Sequence, residues 1–255
     1  VIAFHGEPQL KAHVIQKMRE HREADRLIQH FYWKNGRGCA VGCLLQDPYG
    51  GHERYETEFG IPRQLALLED GIFECLDIQS AVAWPERFLE AIPVGADLSL
   101  VWPRFAVWML VDPQHGIGYL LDDPSAAMAV SAVVDLYSRQ ISGDEPGSEE
   151  WEAALVAVAA IPDLVDSSIE VIALGGADVV EAGTIGIHAE IQAEYLLTLL
   201  RDPSGLCEYA RRVDGLPESH FVAAEDRGIL KHLQALRRDQ SGSSVTTMGL
   251  DDHGY

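Results

Sequence analysis

Apolar residues recur every three or four positions along most of this chain, the spacing of amphipathic helices rather than the strict alternation of strands. The first long segment, EPQLKAHVIQKMREHREADRLIQHFYWKNG, carries Leu10, Val14, Met18, His21, Leu27, Ile28 and Phe31 on such a stripe, with no breaker before Asn35-Gly36. The pattern predicts one helix from Pro8 that ends with Gly36 as its left-handed cap. A short helix over Gly38 to Gln46 is expected next, stopped by Asp47-Pro48, with Cys39 and Cys43 on one face. Pro62 fits the first turn of a third helix, whose buried edge is Leu65, Leu68, Ile72 and Leu76. Two similar stretches, WPERFLEAIP and WPRFAVWMLVDP, each read as a short helix opened by its proline.

Beyond Asp122 the side chains become smaller. Asp123-Pro124 opens SAAMAVSAVVDLYSRQ, Ser148 is placed as the cap of a helix beginning at WEAALVAVAA, and Thr184 as the cap of a helix striped by Ile191, Tyr195 and Leu199. SSIEVIALGG is the one stretch where β-branched residues let a strand compete. PESHFVAAEDRGILKHLQALRR predicts a last helix or helix pair, and SGSSVTTMGLDDHGY a polar tail. The expected fold is mainly α: an irregular helical bundle with an aromatic-rich N-terminal half and an Ala/Val-rich C-terminal half. Its parts are an N-terminal helical subdomain (1–121), a C-terminal helical subdomain (122–240) and the tail (241–255).

Charge alters this picture more than composition does. The formal net charge is −21, and it is concentrated after residue 37, while residues 1–37 are locally basic. An acidic body lacks the clustered Lys and Arg that phosphate backbones require, so no nucleic acid is expected as partner. A protein partner, one of basic charge by complementarity, fits better. No apolar run reaches the roughly 18 residues of a spanning helix, so no membrane is expected, and with no leader visible the location is read as cytoplasmic.

Chemistry concentrates in KNGRGCAVGCLL and its flanks. A zinc site there would draw on His30, Cys39, Cys43 and His52, but structural zinc sites usually set a second tight ligand pair against the first, and none follows. The simpler expectation is buried thiols with no metal and no cofactor. An anion could bind at Lys34, Arg37 and Gly38, a glycine turn leading into a helix, although the Gly-Lys-Ser/Thr of a P-loop is missing. HERYETE supplies an acid–base set, His52 with Glu53 or Glu56, and His13 is a further candidate base. His21, on the apolar stripe, reads as a core histidine. Gly-x-Ser-x-Gly and His-Glu-x-x-His do not occur.

GCAVGCLL, ETEFGIPRQLALLEDGIFECL and WPERFLEAIPVGADLSLVWPRFAVWMLVDP resemble an uncharacterised family of bacterial and phage helical proteins. The resemblance covers about residues 5–113 and implies a helical, soluble protein with no activity to transfer. The leading expectation is therefore a soluble acidic protein of unknown function, a non-enzymatic protein-binding module of the kind a phage uses to inhibit a host factor. The alternative is a small-molecule enzyme with an anion or metal site near residues 34–56. A third reading, an oligomeric component, requires an exposed apolar patch around Trp84, Trp102 and Trp108.

Overall fold

The computed structural model describes residues 1–47, 51–112, 115, 124–161 and 189–204. Val1–Gly205 forms one compact unit, and a second, Leu206–Tyr255, lies outside the described residues. The predicted boundaries at 121/122 and 240/241, the SSIEVIALGG stretch, the Thr184 cap, the final helix and the tail lie outside them as well. Among the described residues the chain is mainly helical, as the periodicity predicts.

The first helix, α1 (Pro8–Glu23), has Pro8 at its start and buries Val14, Met18 and His21. It ends a dozen residues before the predicted Gly36. Asp25 adopts a left-handed φ of 53°, Arg26 N–H donates to His21 O at 2.9 Å and Asp25 N–H to Arg22 O at 3.1 Å. This is a Schellman closure built on aspartate instead of glycine. A stop without Gly or Pro is nearly invisible in a hydropathy pattern.

Asn35-Gly36 is therefore no helix cap. It turns a hairpin between β1 (Trp33–Lys34) and β2 (Arg37–Gly38), paired Trp33 to Gly38 and Lys34 to Arg37. Both turn residues have positive φ, 54° and 79°, as a two-residue type I′ turn demands. Next comes α2 (Ala40–Leu45), buried at all six residues and closed by Gln46 in the left-handed region. Gly38 and Gly42 are required by close approach: a Cβ on either would fall 2.1 Å or 1.5 Å from the Tyr32 carbonyl oxygen. The Tyr32 backbone lies flat on the start of α2 for that reason.

The remaining elements are α3 (Arg54–Phe59), α4 (Arg63–Cys75), α5 (Ile78–Ala91), α6 (Val101–Val111), α7 (Pro124–Ile141), α8 (Ser148–Ala159) and α9 (Ala189–Arg201). Pro62 is the N-cap of α4, one place before its predicted position. Pro85 does not begin a helix. It sits inside α5, which starts at Ile78 with the Asp77 carboxylate accepting from the N–H groups of Gln79 and Ser80. A well-capped start and a buried face of Ala81, Trp84, Phe88 and Leu89 outweigh one lost hydrogen bond at Pro85. Pro103 is the third residue of α6, still within the turn whose N–H groups need no intrahelical partner. Gly147, not Ser148, precedes α8, and its N–H donates to the Glu150 carboxylate at 2.8 Å.

In the core, α4 packs on α2 and α5, α9 on α4, α5 and α6, α6 on α7, and α7 on α8. The inner face of α9 is Ala189, Ala193, Leu196, Leu197, Leu199 and Leu200, so only Leu199 of its predicted stripe is fully buried. No helix among the described residues is long and apolar enough to cross a membrane.

Candidate functional site

The middle of α4 is buried on every side from Leu65 to Phe73, and that stretch includes Glu69 and Asp70. A helix buried all round carries its polar residues inside with it. Asp70 and Glu74 are four residues apart and share one face, which packs against the start of α2. There Cys39 is the N-cap, its Sγ accepting from Gly42 N–H at 3.5 Å. The Cys39 thiol and one carboxylate oxygen each from Asp70 and Glu74 lie within 4.8 Å of one another.

Two histidines close the cluster. His52 Nε2 lies 3.1 Å from Asp70 Oδ2. His30, at a left-handed φ of 69°, donates its backbone N–H to Glu74 Oε2 at 2.6 Å and brings ring Nδ1 within 3.3 Å of the same oxygen. The His30 segment is held over the end of α4 by Gln29, whose side-chain amide donates to the carbonyls of Phe73 and Leu76 at 2.8 Å and 2.9 Å. Tyr32 leans on His52, ring centres 6.0 Å apart.

The charge balance inside is unusual. Glu69 is 0% exposed and Asp70 5%, yet no Lys or Arg among the described residues pairs with Glu69, Asp70 or Glu74. Asp70 Oδ1, both oxygens of Glu69 and the Tyr55 hydroxyl are buried without a hydrogen-bond partner. Tyr55 lies beside Glu69 and draws its carboxyl down against the larger effect of burial. Burial, reinforced by Asp70, pushes the Glu69 and Glu74 carboxyls above the usual carboxylate range. Burial and then Asp70 likewise push the Cys39 thiol up. Unpartnered buried acids are costly, and a bound cation is one way to offset that cost.

The predicted residues sort cleanly by place. His30, Cys39 and His52 converge on α4. Cys43 is buried, but its thiol faces the carbonyls of Gly38 and Arg26 at 3.3 Å and 3.6 Å. Lys34 and Arg37 are exposed on the hairpin, and Arg37 faces Asp25 at 3.6 Å. The Gly38 N–H donates to Arg26 O at 3.0 Å and the Cys39 N–H to Phe31 O at 2.7 Å, so neither is free to hold an anion. Glu53, Glu56 and His13 are exposed. His21 is buried, as its place on the stripe suggests. Trp84, Trp102 and Trp108 are 0%, 7% and 8% exposed, so these rings do not themselves form an exposed patch.

The acids that complete the site, Glu69, Asp70 and Glu74, escaped the sequence reading. Their signal was available: LEDGIFE sets three carboxyls in a run whose neighbours are apolar on both helical faces. Compared with protein families, curated proteins and solved structures, the chain matches none. The resemblance to bacterial and phage helical proteins thus rests on the quoted stretches alone.

Proposed function

We propose that the protein holds a divalent metal ion of the zinc class between the start of α2 and the face of α4, with Cys39, Asp70 and Glu74 as its ligands. One observation carries the reading: Asp70 Oδ1 is buried without a partner in a cluster whose thiol and carboxylate atoms already lie within 4.8 Å of one another. Ligands about 2.0–2.3 Å from a tetrahedral ion stand about 3.3–3.8 Å apart, so closure requires side-chain shifts of about 1 Å. Thiolate with carboxylate and imidazole within reach suits zinc or ferrous iron better than magnesium or calcium, which prefer all-oxygen shells.

Three protein ligands leave a coordination position open, which is the arrangement of catalytic rather than structural zinc. His52, bonded to Asp70, fixes the orientation of that carboxylate. Solvent reaches the cluster on the side of Glu74, His52 and His30, whose side chains are 16%, 20% and 78% exposed. A substrate enters there. The centre favours the small-molecule-enzyme reading over the protein-binding one, because it gathers a thiol and two carboxyls within 4.8 Å of one another, whereas the protein-binding reading rests on net charge alone.

The test is a cobalt(II) titration of chelator-treated protein. A single equivalent should produce a thiolate-to-metal absorption band, and Cys39→Ser should abolish the band while leaving the circular dichroism unchanged. Asp70→Asn should weaken binding by about tenfold or more. Absence of the band, or a band that survives both substitutions, refutes the centre.

A further inference from the structure

A separate polar concavity lies along α1. His13, Gln16, Lys17, Glu20 and His21 recur at helical spacing and line a cavity of about 340 Å³ with Arg26 and Gln46. Two helix closures on left-handed residues, Asp25 and Gln46, build it. The Schellman closure after Glu23 folds Arg26 back toward the last turn of α1, and the left-handed Gln46 turns its side chain to His21, Nε2 to Nε2 at 2.8 Å.

The donors there exceed the acceptors. With the Gln46 amide nitrogen donating to His21 Nε2, the imidazole carries its proton on Nδ1. That Nδ1 is buried without a partner, on a residue 2% exposed. Lys17 Nζ gives one hydrogen bond to Leu44 O at 2.6 Å and keeps two protons to give. The Arg26 side chain is exposed and makes no ion pair among the described residues. The single acid, Glu20, already accepts from Gln16 at 3.1 Å. Burial first, then Arg26 and Lys17, hold the His21 pKa below its ordinary value against the opposing effect of Glu20, which favours the neutral imidazole, and both cations line the same cavity.

We propose that this cavity is a binding site for a small phosphate-bearing molecule, gripped by Arg26, Lys17 and the His21 imidazole. Arg supplies the two-pronged contact that phosphate geometry favours, and Lys a point charge beside it. The volume falls at the small end of ligand pockets, room for a phosphate with a short body. The site does not depend on the metal centre, and it differs from the Lys34–Arg37–Gly38 turn, whose N–H groups are occupied.

The experiment is an NMR titration of the histidine ring signals with inorganic phosphate and with glycerol 3-phosphate at constant ionic strength, using protein kept metal-free by a chelator. Saturable movement of the His21 signals with a Kd below about 1 mM is expected for at least one probe. Arg26→Gln should weaken it by about tenfold or more. Because the Arg26 side chain is exposed, that variant should keep the wild-type circular dichroism and melting curve. Asp70→Asn should leave phosphate binding unchanged, which separates this site from the metal. Signals that do not move, binding that Arg26→Gln leaves intact, or an equal response to chloride would overturn the proposal.

Discussion

Two buried regions of this protein solve the same packing problem in opposite ways. Around α6, Trp108 stacks on Tyr195 of α9 with ring centres 4.2 Å apart, and Phe105 contacts both at 5.6 Å and 6.2 Å. Trp102 Nε1 donates to the Tyr137 hydroxyl at 3.1 Å, and Trp151 meets the Tyr137 ring edge-on at 4.8 Å. The region between α2 and α4 is as deeply buried but leaves carboxylate oxygens and a tyrosine hydroxyl unmatched. Burial alone therefore does not separate a core from a site. What separates them is the chemistry of the unmatched atoms, which between α2 and α4 belong to carboxyls that no Lys or Arg among the described residues pairs with.

The comparison predicts effects of different sign and size. The largest belongs to the aromatic seam: Phe105→Ala should lower unfolding free energy by about 3–5 kcal/mol in a urea titration, since ring contacts vanish and the stacked neighbours cannot collapse into the gap. A loss under about 1 kcal/mol would show the seam to be loosely packed. Gly42→Ala comes next. Its Cβ would sit 1.5 Å from the Tyr32 carbonyl oxygen, a backbone atom that cannot rotate away, so a loss of about 1–3 kcal/mol is expected. Because Gly42 also holds Cys39 in place, cobalt affinity should fall with stability. An unchanged affinity would mean that the hairpin does not position the thiol.

How far the sequence disclosed all this follows from which signals are periodic. The helices of the seam are legible because Leu, Val and Trp recur at helical spacing and Pro falls in first turns. The end of α1 was not legible, because a Schellman motif on Asp25 has no glycine to announce it. Asn35-Gly36 was legible and points to a hairpin, but an uninterrupted apolar stripe running up to it favoured a helix cap. Half of the candidate centre, His30, Cys39 and His52, showed in the crowding of His and Cys near the glycine turn. The other half did not, because Glu69 and Asp70 look like a solvated helix face until it is known that α4 is covered on all sides.

The unmatched carboxyl gives a change of sign. Glu69→Met places an apolar side chain of similar length where two carboxylate oxygens have no partner, and should stabilise the chelator-treated protein by about 1 kcal/mol. Polar-to-apolar exchange in the seam, Tyr137→Phe, should instead destabilise it by roughly the same amount, since Trp102 loses its acceptor. Matched urea curves of the two variants measure both. If both destabilise, Glu69 is already satisfied in solution and the contrast between the regions fails.

The smallest perturbation changes no residue. Cys75 is exposed, whereas Cys39 and Cys43 are buried; burial pushes the Cys43 thiol up to about 12 and the Cys39 thiol up as well. Iodoacetamide at neutral pH should therefore label Cys75 in the folded protein and spare the other two, because alkylation needs thiolate and access together. Peptide-resolved mass spectrometry reads each cysteine separately. Labelling of Cys39 or Cys43 at a rate near that of Cys75 would show that α2 is not closed over in solution as its six buried residues require.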